Sequence, residues 1–170
     1  ALMVNGEKTM TIAGNLNDST SQNPLMLDFS MIHFPLKVLN PMLPNNIATL
    51  SGTLNGEMTI TGDSNAPILN GKLDFDSAAV LVGMTGTPLN FSEVEIPVVD
   101  NVVAFNDFGV TGVNKNPLKV NGTVDIKDLS APKIDLNLKA RNMQIVGSNK
   151  SQRTDVYGKG FVDVDADVQG

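Results

Sequence analysis

The chain has no cysteine and no tryptophan, and only one histidine and one tyrosine in 170 residues. Without cysteine there are no disulfides, no thiolate nucleophile and no cysteine-ligated zinc, and the redox compartment is left open. Aromatic residues make up 5%, so the side chains that fill space best are scarce. No run approaches the roughly 18 consecutive apolar residues of a membrane-spanning helix, and no leader-like stretch stands at the start, so neither a span nor a signal peptide is expected. Positive charge is also short. Twelve Lys and Arg face eighteen Asp and Glu, for a net charge of −6, and the basic residues are scattered. That argues against nucleic acid and against attraction to anionic lipid surfaces. What is present is 41% hydrophobic content in a chain the length of one domain, enough for a core.

The hydrophobic residues alternate. From Ala48 to Asp63 every even position is apolar or glycine and every odd one is polar. This is the period of a half-buried strand. Asn55-Gly56 in the middle of that run is also a strong two-residue hairpin signal. A turn there would pair Leu54 with Glu57 and send Met58 and Ile60 to the opposite face from Leu50 and Leu54. The same conflict arises at Asn70-Gly71 and Asn121-Gly122. Asn5-Gly6 is a weaker fourth case. Read straight through, each phase is kept, so these glycines are expected inside long strands, as inward positions or bulges.

Similar alternation runs through Met10 to Leu16, Leu25 to Phe29, Ile134 to Arg141 and Lys159 to Val168. Residues 79–110 are more evenly apolar, as strands covered on both faces or carrying phase-shifting bulges would be. Turn chemistry separates the runs at Asn65-Ala66-Pro67, Gly86-Thr87-Pro88, Asp100-Asn101, Asn114 to Pro117 and Ser130-Ala131-Pro132. The pattern predicts an all-β protein of about ten to twelve strands in a long antiparallel-type sheet that either closes on itself as a sandwich or curls into a trough. One stretch, FPLKVLNPMLPNN, breaks the rule. Leu36, Leu39 and Leu43 fall at helical spacing, Pro35 suits a first turn and Pro44 stops the run. A short amphipathic helix at about 35–43 is expected, either capping one end of the apolar interior or gating it. Residues 1–170 read as a single β-rich module. Both termini lie in strand-like pattern, which suggests a fragment of a longer chain cut through a continuing sheet.

Catalytic chemistry finds little support. His33 sits between Ile32 and Phe34, with no sequence signature of a nucleophile or an orienting carboxylate. Asp163, Asp165 and Asp167 imitate the start of a calcium loop, but its sixth position is Val168 and the chain holds no twelfth-position glutamate. Alternation explains these three aspartates, and the pair Asp74 and Asp76, as the wet face of strands. There is no nucleotide-binding glycine loop. No enzyme activity, metal or cofactor is expected. A polysaccharide-active enzyme would need convergent carboxylates and aromatic platforms, and the lack of Trp and Tyr speaks against it.

The dry face remains. Its inward positions are Leu50, Leu54, Met58, Ile60, Leu69, Leu73, Phe75, Leu118, Val120, Val124, Ile126, Ile134, Leu136, Leu138, Val162 and Val164. Inward glycines among them leave room. That room is filled either by an opposing sheet, giving a structural or adhesive β-sandwich with a closed core, or by an apolar guest.

The order PLKVLNPMLP, LSGTLNGEMTITG, APILNGKLDF and a following Gly86-Thr87 resembles the conserved C-terminal region of TamB, in the AsmA-like superfamily of bacterial envelope proteins. NPLKVNGTVDI and the Asp-rich strand continue the likeness more loosely. The resemblance implies a β-taco, a curled sheet with a lipid-sized hydrophobic groove lined by the positions above. It implies a periplasmic location within a longer protein anchored in the inner membrane, and a part in phospholipid transport and outer-membrane assembly. Its implied partners are phospholipid acyl chains and, through the full-length protein, a BamA-like outer-membrane barrel of the TamA type.

Overall fold

In the computed structural model, residues 2–4, 7–16, 25–43, 48–147 and 158–170 are described. The Asn5-Gly6 pair and Pro44 lie outside them. Among the described residues eleven strands form one antiparallel sheet: β1 (Leu2–Val4), β2 (Glu7–Leu16), β3 (Leu25–Pro35), β4 (Ala48–Asp63), β5 (Ala66–Val82), β6 (Thr87–Phe91), β7 (Ile96–Val99), β8 (Val102–Thr111), β9 (Pro117–Asp125), β10 (Lys133–Val146) and β11 (Gly160–Gln169). Neighbours in sequence are neighbours in space, with one exception. β6 and β7 share the long edge of β5: β6 pairs with residues 79–82 and β7 with residues 71–73, and both then pair with β8.

All three described Asn-Gly pairs run straight through their strands, Asn55-Gly56 in β4, Asn70-Gly71 in β5 and Asn121-Gly122 in β9. Each asparagine also has a task. The Asn55 carboxamide oxygen accepts the backbone N–H of His33 at 2.8 Å, Asn70 accepts that of Asp100 at 2.9 Å, and Asn121 accepts that of Asp107 at 2.8 Å. Each of the three donors has positive φ (47°, 49° and 53°), a conformation disfavoured for residues with a side chain. His33 and Asp107 sit at bulges in β3 and β8, and Asp100 opens the β7–β8 turn. Asp163 of β11 does the same for Asn142, at φ 50° in the bulge of β10. A bulge takes a residue off the ladder and bends the strand. Here the freed N–H, exposed in each case, finds a side chain on the next strand, which pairs it without straightening the sheet.

The glycines serve this backbone more than they serve the space above it. Gly122 has φ +123°, and a Cβ there would meet the carbonyl oxygen of Asp135 on β10. Gly52, at φ +82°, faces the carbonyl of Ser77 where β4 and β5 shift register. The expectation that inward glycines leave room therefore needs correction at these two positions: each is needed because the neighbouring strand's backbone already occupies the space.

The helical segment is a 3₁₀ helix, Leu36–Met42, lying against β4. Pro41 within it has no N–H to give, and its ring would crowd the carbonyl four residues back in an α-helix, so the tighter winding wins. Leu36 is buried, whereas Met42 is exposed. The helix covers an overhang. β3 ends opposite Thr53, while β4 continues to Ala48. Asn40 fills in for the missing strand: its oxygen accepts from the Leu50 N–H at 2.7 Å and its amide donates to the Leu50 carbonyl at 3.0 Å.

Two other asparagines imitate a peptide group in the same way. Asn101, itself buried, accepts from the Leu69 N–H at 2.7 Å and donates to the Pro67 carbonyl at 3.0 Å, where β5 outruns β7. Asn114 accepts from the Gln144 N–H at 3.0 Å and donates to the Asn142 carbonyl at 2.6 Å, where β10 outruns β9. Sequence reading placed the last two in turns and missed this second role.

Candidate functional site: a continuous apolar face

The registers bring the inward residues into rows across the sheet, the first unbroken from β2 to β10 and the other two interrupted between β5 or β7 and β8. One row joins Ile12, Phe29, Met58, Gly71, Val98, Val103, Val124 and Ile134. The next joins Met10, Met31, Gly56, Leu73, Ile96 on one side and Phe105, Gly122, Leu136, Val168 on the other. A third runs Phe34, Leu54, Phe75, then Phe108, Val120, Leu138, Ala166. Every cross-strand partner in these rows is apolar or glycine. Ten strands side by side, at about 4.8 Å spacing, give this face a length of about 43 Å.

All sixteen positions read from the sequence as lining residues are half-buried; none is fully covered and none fully exposed. They fall into two groups. Leu50, Leu54, Met58, Ile60, Leu69, Leu73 and Phe75 lie on β4 and β5, and Leu118, Val120, Val124, Ile134, Leu136, Leu138, Val162 and Val164 on β9, β10 and β11. Ile126 follows β9, its N–H donating to the Asn101 carbonyl at 2.9 Å. It lines a recess of about 180 Å³ with Ile60, Pro67, Leu69 and the exposed Leu129.

Between the two groups stands a cluster that the alternation did not reveal. Phe75, Phe91 and Phe108 meet with ring centroids 5.1, 5.9 and 6.0 Å apart, and Phe105 stands 5.8 Å from Phe108. Beside them Ile96, Val98 and Ala78 are buried. Aromatics are scarce along the chain, but four of its seven phenylalanines gather here. Their spacing gives no sign of it, because β6 and β7 share one neighbour. The even apolarity of 79–110 is the nearest signal.

The wet face is ordinary by comparison. Lys72 and Glu95 form an ion pair at 2.9 Å, both about half exposed; the hydrogen bond and then the charge of Glu95 raise the lysine pKa. In the β9–β10 loop, the hydroxyl and N–H of Ser130 lower the pKa of Asp128. A recess of about 520 Å³ opens among Asn116, Pro117, Lys119, Lys139, Arg141 and Asp165, with Ala140 and Val164 of the dry side also in its lining. Its charges offset: Lys119 binds Asp107 at 3.2 Å and Lys139 lies directly opposite Asp165.

His33 lies in the exposed bulge, its Nε2 4.0 Å from Asp76 Oδ2. Ser77 Oγ donates to Asp76 at 3.0 Å, so the hydroxyl is joined to the carboxylate and not to the imidazole. Of the three β11 aspartates, Asp163 receives the Asn142 N–H and Asp167 the Asn137 amide. Among the described residues no three His, Asp or Glu side chains converge as metal ligands, and no helix is long and apolar enough to cross a membrane.

The fold and face together define a class: an all-β protein built from one curled antiparallel sheet with one continuous apolar side. Set against known proteins, the chain matches no family model, no curated protein and no solved structure.

Proposed function

We propose that this sheet is a hydrophobic-groove module that shelters the acyl chains of phospholipids, as its resemblance to TamB-like envelope proteins implies. The observation that carries the reading is the half-buried state of all sixteen lining positions on one apolar face, in two groups that flank the phenylalanine cluster. Exposing an acyl chain to water costs about 0.8 kcal/mol per methylene, which a dry face removes without a nucleotide or a covalent step. Walls suffice for this, so the lining residues have no individual chemical roles and the module is not an enzyme. In the same reading the module works in the periplasm, within a longer protein anchored in the inner membrane, and hands lipid toward an outer-membrane barrel of the BamA-like type. A closed-core structural or adhesive domain is less favoured, because among the described residues no second sheet faces the first.

Purified chain offered a fluorescent fatty acid in solution, without vesicles, is expected to take it up. Organic extracts of the expressed protein are expected to contain phospholipid. Met58→Glu is expected to abolish uptake while far-UV circular dichroism is unchanged. Lipid-free extracts together with no uptake by the folded chain would sink the reading and favour the closed-core alternative.

A further inference from the structure

The strand ends form two long rims, and their charges are sorted. One rim is made of residues 35–43, 48–50, 80–89, 111–117, 143–147 and 158–162. Its charged residues there are Lys37, Lys115 and Lys159, all exposed; the start of β2, at the same rim, adds Glu7 and Lys8, which offset each other, so the described rim keeps a surplus of three cations. The opposite rim, residues 14–16, 25–27, 61–69, 98–103, 124–134 and 168–170, carries Asp63, Asp100, Asp125 and Asp128 against Lys127 and Lys133. Nothing in the order of the sequence separates them. Strand direction and register do.

We propose that the Lys37–Lys115–Lys159 rim is a docking surface for a lipid bilayer that carries anionic headgroups. Charge complementarity selects this occupant. A chain of net charge −6 would be repelled by such a surface if its charges were evenly spread. Sorting them turns one rim toward it and the other away. The lysines are spread from the helix before β4 to the start of β11, about 30 Å at the spacing of strands. Each is thus separated from the next by at least a Debye length of about 8–10 Å and meets the surface independently. Beside them the rim exposes apolar side chains, Met42 at 81%, Met84 at 60%, Val113 at 46% and Val38 at 41%. Methionine is flexible and polarizable and suits a fluid, irregular surface. The opposite rim exposes apolar groups too, Leu129 among them, but in the company of aspartates. Only the first rim combines exposed oil with a surplus of cations, the composition that holds peripheral proteins on anionic bilayers. The inference stands on the rims alone and does not require an occupied groove.

Co-flotation of the purified chain with vesicles tests it. Binding is expected to vesicles of mixed phosphatidylglycerol and phosphatidylcholine, not to phosphatidylcholine alone, and to fall as salt rises. The double variant Lys37→Glu/Lys115→Glu is expected to lower partitioning at least about 25-fold, taking roughly fivefold per lysine. Lys127→Glu/Lys133→Glu makes the same change in net charge on the other rim and is expected to leave partitioning unchanged. Met42→Ser/Met84→Ser is expected to weaken binding several-fold while its salt dependence stays. Equal losses from the two lysine pairs would overturn the proposal, as would equal binding to neutral vesicles or none to anionic ones. So would self-association of the chain that Met42→Ser/Met84→Ser abolishes in the absence of vesicle binding, which would assign the rim to a second copy. Because fatty-acid uptake is measured without vesicles, either result can fail while the other holds.

Discussion

Between β5 and β8 the apolar face is closed by its own side chains, whereas over β2–β4 and β9–β11 most residues of the same kind lie half covered, with Ala140 and Met143 of β10 as buried exceptions. Val98 is 1% exposed and Phe108 7%, but Ile12 on β2 is 48% exposed and Val168 on β11 is 40%. Both regions present apolar residues to this face, by clean alternation in the flanks and by a more evenly apolar run over 79–110 in the middle. What differs is the size of the side chains and the crowding of the backbone. The middle has three phenylalanines in mutual contact, a fourth against one of them, and two short strands sharing one edge. The flanks have leucine, valine, methionine and glycine on strands that pair along most of their length. Burial on a one-layer sheet is therefore a local property, and in the proposed groove the flanks are where an acyl chain finds room.

The sharpest way to break this comparison uses one row. Met58 and Val98 are separated on it only by Gly71. Val98→Glu puts a charge at a site 1% exposed and is expected to cost several kcal/mol or prevent folding. Met58→Glu on the half-buried flank is expected to cost about 1–2 kcal/mol and leave a cooperative denaturant transition. Similar losses in urea unfolding would erase the distinction. A second pair shares another row, Phe108 and Leu138 on either side of Val120. Phe108→Ala is expected to cost about 3–5 kcal/mol. Leu138→Ala, with part of its surface already in water, is expected to cost about 1–2 kcal/mol.

A smaller effect tests the bulges. Asn55→Ala and Asn121→Ala each strand one backbone N–H, of His33 and Asp107 respectively, and each is expected to cost about 1 kcal/mol. Hydrogen exchange is expected to quicken at those two amides first. If it quickens uniformly, the asparagines stabilise the sheet as a whole and not its bends.

The smallest effect is in pH. In the middle, the raised Lys72 pKa means that the tie to Glu95 contributes stability below the lysine's unfolded value of about 10.4. That contribution is lost as pH rises through the higher folded value. In the flanking loop, the lowered Asp128 pKa works the other way: its contribution is present above an unfolded value of about 3.9 and lost as pH falls through the lower folded one. Both groups are open to solvent, so each change is small. Nuclear magnetic resonance titration is expected to show Lys72→Met removing only the alkaline change at Glu95, and Ser130→Ala returning Asp128 toward its ordinary value.

Much of the fold was legible in the chain. The unbroken phase across Asn55-Gly56 outweighed a strong turn signal, because a turn there would have put half of β4's apolar residues in water. The eleven strands fall within the expected ten to twelve, and the turn clusters sit where strands end. Other features were not legible. The short helix was expected, but its 3₁₀ winding follows from Pro41 and from the overhang that Asn40 must satisfy. The edge-filling roles of Asn101 and Asn114 depend on which strand outruns which, and that is a matter of register. The phenylalanine cluster depends on β6 and β7 lying end to end, which no local period encodes.

The sequence by itself determined that one side of this sheet is dry and the other wet, because side chains alternate with period two whatever the strands pair with. It could not determine where along a strand each residue falls relative to its neighbours. Period two assigns a face but not an end. Only the pairing of strands collected Lys37, Lys115 and Lys159 on a single rim, from a sequence in which the basic residues look scattered, and only the shared edge of β5 closed the middle of the face while leaving its flanks half open.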